Sequence, residues 1–323
     1  MSRDRVVALS GGVGGAKLAL GLSRIVPTDN LLVVANIGDD FEHLGLHISP
    51  DADTLMYTLA GLDNTKLGWG RWDETWSFME TLTALGGEDW FRLGDRDLAV
   101  HVERTRRLRQ GETLSSVTAD FCRRFGVDPR VLPATDDRLR TRLRTDEGWL
   151  DFQDYFVRLR CRPVVRAIAF DGAERARPHP DLLTALRDER LRAVIICPSN
   201  PFISVEPILA AQGMLQALST CAAPVVAVSP IIGGRAVKGP TAKMMAELGM
   251  TPSASAVAER YGGLLDGFVM DVADSAEAAQ VAPKVTLAPT LMTNLAEREQ
   301  LARVVLEAAD ALASSKRGRD LGA

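Results

Sequence analysis

Residues 5–17, RVVALSGGVGGAK, set an apolar run directly against four glycines in five residues. The run at residues 5–10 has the unbroken apolar character of a strand buried on both faces of a parallel sheet. Gly11, Gly12, Gly14 and Gly15 then read as a loop, and from Ala16 the spacing of Leu18, Leu20, Leu22 and Ile25 turns helical. A second apolar strand, residues 31–36, ends in Ile37-Gly38-Asp39-Asp40. Strand, glycine turn, helix and strand make the first unit of a doubly wound α/β fold. Glycines between a strand and a helix let backbone N–H groups approach an anion at the positive helix end; a tight turn needing positive φ is the blander alternative. Neither familiar nucleotide signature is met. A phosphate-binding Walker loop would need Gly at Ala16 and Ser or Thr at Leu18, and GxGxxG begun at Gly12 meets Lys17 in its last place.

Outward from this unit, helical patterns run over residues 54–60, 73–85, 97–108 and 114–125, with Gly- and Trp-rich joints. Residues 131–172 read as strands with charged turns. The parallel pattern resumes at 193–197, 224–229, 267–272 and 284–287, with helices at 206–218, 241–248 and 295–312. The expected fold is therefore α/β, a doubly wound and mostly parallel Rossmann-like sheet with a largely helical insertion. Residues 1–52 and 127–323 form its core and residues 53–126 the insertion.

With 323 residues, 46% apolar and 25% charged, the chain has ample core for such a fold. A formal charge of −4 gives no electrostatic case for a nucleic-acid partner, so any anion must be gripped locally. The four cysteines are scattered without zinc or disulfide spacing, and no apolar run is long enough to span a membrane. A cytoplasmic protein is expected. Only six of the 38 basic residues are lysine; the arginine excess reads as compositional bias, which makes each lysine more telling.

Several strings could carry chemistry. Asp39 and Asp40 follow the second strand, where open α/β sheets place ligands, and Asp51 and Asp53 open the next helix. Plain helix capping is one reading of Asp51 and Asp53; gathered with Asp39 and Asp40, the four would repel one another unless a divalent cation, Mg²⁺ by its preference for oxygen, sat among them. Leu93-Gly94-Asp95-Arg96-Asp97 places Arg96 between two acids at a helix entry, either as a clamp for a polar ring or beside ordinary caps. Ser199 and Asn200, between two prolines, end a central strand. Residues 229–240, SPIIGGRAVKGP, suggest a second anion turn with Gly233, Gly234 and Lys238, or else a bland connecting loop. Arg158, Arg160 and Arg162 alternate as on a solvated strand face, the histidines show no metal spacing, and the early tryptophans read as helix packing or as a wall for a flat heterocycle.

Taken together, SGGVGGAK, NIGDD, SPDADTLMY, WGRWDETW, LGDRDLA, LPATDD, FQDYFV, PSNP and SPIIGGRAVKGP, in this order and over nearly the whole chain, resemble the 2-phospho-L-lactate transferase family of coenzyme F-420 biosynthesis. The resemblance implies a Mg²⁺-dependent enzyme. The ribityl hydroxyl of the deazaflavin Fo attacks the phosphorus next to a three-carbon acid in a GDP-linked donor, GMP leaves, and F-420-0 or its dehydro form results. Carried onto this chain, the loop of Gly11, Gly12, Gly14 and Gly15 and the turn of Ser199 and Asn200 would surround the nucleotide donor, while Asp53 and Arg96 would meet the deazaflavin under the insertion; Lys17, Gly233, Gly234 and Lys238 are expected as further substrate-binding residues. Asp39, Asp40, Asp51 and Asp53 would hold the metal, with Asp39 or Asp53 taking the hydroxyl proton. The acid could be phospholactyl, phosphoenolpyruvyl or phosphoglyceryl. A homodimer is expected from symmetry statistics. Two other classes stay open: a non-enzymatic YvcK-type regulator binding a nucleotide sugar, and an NAD-linked oxidoreductase, the latter disfavoured by the failed dinucleotide fingerprint.

Overall fold

The computed structural model describes residues 3–320, with side chains through residue 313. Strands β1 (Arg5–Ser10), β2 (Leu31–Ala35), β3 (Arg130–Pro133), β4 (Leu191–Ile196), β5 (Val225–Val228), β6 (Gly267–Met270) and β7 (Lys284–Leu287) form one sheet. Its order is β7-β6-β5-β4-β1-β2-β3, and every neighbouring pair is parallel. The period of two divides β1 between two cores: Val7 and Leu9 face one side, Val6 and Ala8 the other. Helices α1 (Gly12–Ile25), α2 (Pro50–Ala60) and the closing α6 (Leu295–Asp320) cover the second side through Leu18, Leu22, Leu55 and Val305. The first side is covered by Leu182, Met244 and Val257, from helices Pro180–Leu186, Thr241–Glu247 and Ala254–Arg260. Both faces are sealed, which is why the strands read as unbroken apolar runs.

The chain steps from β1 to β2 to β3 on one side, then returns to β4 on the other side of β1. The switch between β1 and β4 opens a crevice beyond their carboxyl ends, where such sheets take ligands. Between β2 and β3 lie a short hairpin (Phe41–His43 with Leu46–Ile48), α2, α3 (Ser77–Ala84), α4 (Asp95–Arg109) and α5 (Leu114–Arg124). The helix starts of α3 and α4 exchange caps. Asp95 accepts the N–H groups of Ser77 and Phe78, each at 3.1 Å, while Glu74 accepts those of Arg96 and Asp97 at 2.8 and 2.9 Å. Asp95 thus caps α3, not the helix it begins.

Three local expectations are corrected. The glycine stretch is the first turn of α1, which starts at Gly12 with φ +65° rather than at Ala16. The helix expected over 206–218 is two, Glu206–Ala210 and Met214–Ser219, broken by Gly213 at φ +86°. The arginines at 158, 160 and 162 do not alternate along a strand: Asp154–Arg158 is a π-helical turn, followed by Arg160 and Cys161 in the left-handed region. Among the described residues no helix is long and apolar enough to cross a membrane.

Candidate active site

The crevice at the switch point is a cavity of about 820 Å³, within the range of small-ligand sites. Its floor is made where the ends of β1 and β4 meet. The Gly11 N–H donates to Ser199 Oγ at 3.2 Å. A Cβ on Gly14 would stand 2.4 Å from the Pro198 carbonyl oxygen, and one on Gly15 2.6 Å from both Ser10 Oγ and Ser199 Oγ. These two glycines are small because the 198–199 turn presses on the first turn of α1. Gly11 meets a different neighbour, Asp51 Oδ2, at 2.6 Å from its would-be Cβ.

Asp51 reaches this floor from the first turn of α2. Its Oδ1 accepts the Gly12 N–H at 2.7 Å, and its Oδ2 accepts Asn36 Nδ2 at 2.9 Å. One amide donor at the start of α1 is therefore held by a carboxylate of the chain itself. Asn36 Nδ2 also lies 3.3 Å from Asp39 Oδ1, so a single amide group is shared by two acids. Burial, then the charges of Asp51 and Asp40, push the Asp39 carboxyl well above the usual carboxylate range. Burial likewise pushes Asp51 up to about 6, against the hydrogen bonds from Asn36 and Gly12 that favour its charge. Asp40 stands behind the pair. Its Oδ2 accepts the Ser49 hydroxyl at 3.0 Å and lies 3.1 Å from His47 Nε2, while its buried Oδ1 has no hydrogen-bond partner among the described residues.

Asp53 does not join them. Residues two apart on a helix point to opposite faces, and Asp53 turns toward α4, where Arg104 clamps both its oxygens from Nη1 (3.0 Å) and Nη2. Asp97 and His101 stand beside it. One ligand atom from each of Asp53, Asp97 and His101 lies within 4.8 Å of the others, a buried group that could hold a divalent ion. Arg104 already supplies that group with a positive charge, and the Tyr57 hydroxyl donates to Asp97 Oδ1 at 2.6 Å. The four aspartates expected in one cluster thus fall into two places, and only Asp39 and Asp51 of the four line the cavity. Metal spacing does involve one histidine, contrary to the expectation from sequence: Asp97 and His101 stand four apart on α4, a signal between an acid and a histidine and not between two histidines.

Other expected residues divide similarly. Lys17, Ser199, Asn200 and Lys238 line the cavity. Lys17 Nζ donates to the Met292 carbonyl at 2.7 Å, and burial together with the Arg298 and Lys238 charges lowers its pKa. Asn200 also caps the next turn, accepting the Phe202 N–H at 2.9 Å. Gly233 and Gly234 do not line the cavity. They form the tip of a two-residue hairpin joining Ile231–Ile232 to Arg235–Ala236, with φ of +57° and +71°, as such turns require. Arg96 also lies away from the cavity, half-exposed and 2.5 Å from Asp73 Oδ2. The arginines that do line it are Arg92 and Arg160. Arg92 lies 4.3 Å over the Trp76 ring. The opposite walls are aromatic: Trp69, Trp90 and Phe91 from the insertion, and Phe152 and Phe156, whose rings stack at 5.4 Å.

Fold and cavity together define a doubly wound α/β protein with a cavity of charged and aromatic lining at its switch point. The family is fixed by sequence: residues 6–308 match the profile of CofD, 2-phospho-L-lactate transferase, and the chain belongs to that transferase family. Over 315 residues it is 41% identical to a phosphoenolpyruvate transferase of Streptomyces coelicolor, covering 95% of this chain and 98% of that protein. With another so named, from Kitasatospora aureofaciens, the identity is 42% over 318 residues, again covering 95% and 98%. Among solved structures, a UPF0052-family protein of Bacillus halodurans superposes with a TM-score of 0.62 at 13% identity, over 95% of this chain and 99% of that one, a likeness of fold alone.

Proposed function

We propose that the chain is a magnesium-dependent transferase that moves a phospho-three-carbon-acid group from a GDP-linked donor to the ribityl hydroxyl of the deazaflavin Fo. GMP is released, and F-420-0 or its dehydro form is made. The relatives named phosphoenolpyruvate transferase favour phosphoenolpyruvyl as the group carried, ahead of phospholactyl or phosphoglyceryl. The observation that carries the reading is the pairing of Asp39 and Asp51 under one Asn36 amide at the floor of a cavity that is also lined by Lys17, Lys238 and two arginines. Two carboxyls raised chiefly by burial and an unpartnered Asp40 oxygen behind them are an all-oxygen donor set short of positive charge, which suits Mg²⁺. When bound there, the ion would neutralise charge on the donor diphosphate.

The residues themselves would do the rest. The first turn of α1, Lys17 and the Ser199–Asn200 turn align the donor; the insertion, residues 53–126, covers the ring of the acceptor with Trp69, Trp90 and Phe91. The hydroxyl oxygen forms the new P–O bond as the bond to GMP breaks, and Asp39 accepts the hydroxyl proton. No covalent protein intermediate is needed, since transfer of this kind is served by alignment and charge neutralisation. We place the protein in the cytoplasm as a homodimer.

Incubation with Fo, Mg²⁺ and each of the three GDP-linked acids tests the reading, with mass detection of the phosphodiester and of GMP. The expected result is product with the phosphoenolpyruvyl donor. Absence of product with all three, together with tight binding of UDP-N-acetylglucosamine, would overturn it in favour of a nucleotide-sugar regulator.

A further inference from the structure

Four cationic side chains line the cavity: Lys17, Arg92, Arg160 and Lys238. Three of them are positioned by neighbours. Lys17 Nζ is tied to the Met292 carbonyl, Arg92 lies over Trp76, and Lys238 Nζ rests on Gly68, where a Cβ would come within 2.1 Å of it. Arg160 differs. Among the described residues its side chain makes no hydrogen bond, ion pair or ring contact; Lys238 shares that freedom, but of the two only Arg160 carries a planar guanidinium.

Its backbone is also unusual. Arg160 has φ +52° and Cys161 φ +55°, two consecutive non-glycine residues in the left-handed region. Only the surrounding structure sustains such a conformation. Here the Leu159 N–H donates to the Asp154 carbonyl and the Cys161 N–H to that of Tyr155, each at 2.8 Å, and the Tyr155 ring is fully buried. The turn is thus anchored on both sides of Arg160. The same segment begins with Gln153, whose Nε2 reaches the Asp39 carbonyl oxygen at 3.4 Å. The wall bearing Arg160 is therefore tied to the acidic pair.

We infer that Arg160 reads the carboxylate of the transferred three-carbon acid. This rests on the proposed function, whose donor carries two kinds of anion. The diphosphate has the acidic pair with its cation, Lys17 and the first turn of α1. The carboxylate is left over, and a planar guanidinium with parallel N–H groups matches two coplanar oxygens as no ammonium does. A free fork on the wall joined to Asp39 meets that need. Arg160 is in this sense a specificity-determining residue: it selects an acid-bearing donor over plain GDP.

The test uses the full chain and the variants R160Q, R160K and R160G. The Kd for GDP is measured alongside KM and kcat with the GDP-linked phosphoenolpyruvyl donor, Fo and Mg²⁺. R160Q should raise the donor KM at least tenfold while changing the GDP Kd less than twofold, and R160K should recover only part of the loss. R160G should show the same KM defect with an unfolding temperature no lower than the native one, because glycine relaxes the left-handed backbone. An unchanged donor KM in R160Q would overturn the inference and leave the transferase reading standing. So would a GDP Kd that weakens in step with the donor KM, which would make Arg160 a phosphate contact, or a lowered R160G unfolding temperature, which would make it a packing residue. A native protein that forms no phosphodiester would remove both the reading and the inference.

Discussion

Asp51 couples charge to stability with a definite sign. Its carboxyl is raised from an ordinary 3.8 to about 6 in the folded chain, so the folded state holds its proton more tightly than the unfolded state does. The stability it contributes is full below about pH 4 and is lost as pH rises through about 6. Asp39, raised for the same causes, acts in the same sense. Metal-free protein should therefore be less stable at pH 8 than at pH 5, on the order of 1–2 kcal/mol from Asp51 after allowance for its opening on the cavity. Mg²⁺ should raise the unfolding temperature more at pH 8 than at pH 5; equal increments at the two pH values would place the ion elsewhere. Asp51→Asn should leave the fold intact and lower turnover on the order of 100-fold. Arg104→Met makes the contrasting case. It leaves the Asp53 charge buried without its partner and should cost roughly 3–5 kcal/mol in denaturant unfolding. Asp97→Asn then separates the two acidic groups: it should change stability but not the Mg²⁺ concentration at half-activity, and a shift in that concentration would move the ion to Asp53, Asp97 and His101.

At the scale of elements, glycine contacts decide which helix serves the site and which serves the core. Gly14 and Gly21 both belong to α1, yet Gly14 faces the Pro198 carbonyl, whereas a Cβ on Gly21 would stand 2.1 Å from the Arg298 carbonyl in α6. Ala at either position forces backbone apart, a cost of about 1–3 kcal/mol by the measure of overpacked cores. Gly14→Ala should also weaken GDP binding, while Gly21→Ala should lower the unfolding temperature with GDP affinity preserved; loss of affinity in both would mean that α1 moves as one body. This division was only half legible in the sequence. The apolar strands, their parallel order of appearance and the crowding of glycines after β1 are local signals, and they place the crevice. The separation of Asp51 from Asp53, against the expected four-acid cluster, had a local signal, since Pro50 opens a helix and two residues turn it by about 200°. The Gly233-Gly234 pair, expected as an anion turn, likewise carries a hairpin signal between short apolar and polar runs. Arg92 and Arg160 carry no such signal. Each stands in irregular chain, Arg92 set by a ring contact with Trp76 and Arg160 by the hydrogen bonds of the π-helical turn just before it, and the residue types announce neither.

Over the whole molecule the charge is −4, a balance that repels polyanions at long range, yet the cavity collects four cations against two carboxylates. Binding of a nucleotide donor must then be won at short range, inside the cavity, and not by steering from afar. The screening length falls from about 14 Å at 50 mM salt to about 4 Å at 500 mM, so contacts with the exposed Arg160 and Lys238 weaken while buried ones persist. GDP affinity measured with Mg²⁺ should accordingly fall by about threefold to tenfold over that range. The deazaflavin ring meets a different wall, where Trp69 and Trp90 supply apolar and aromatic contact, and apolar burial does not weaken with salt. Fo should quench the fluorescence of these tryptophans with a Kd that stays within about twofold across the same salt series. A parallel loss of both affinities would mean that the ring is seated among the cations; a GDP affinity indifferent to salt would mean that the cavity cations do not grip the nucleotide.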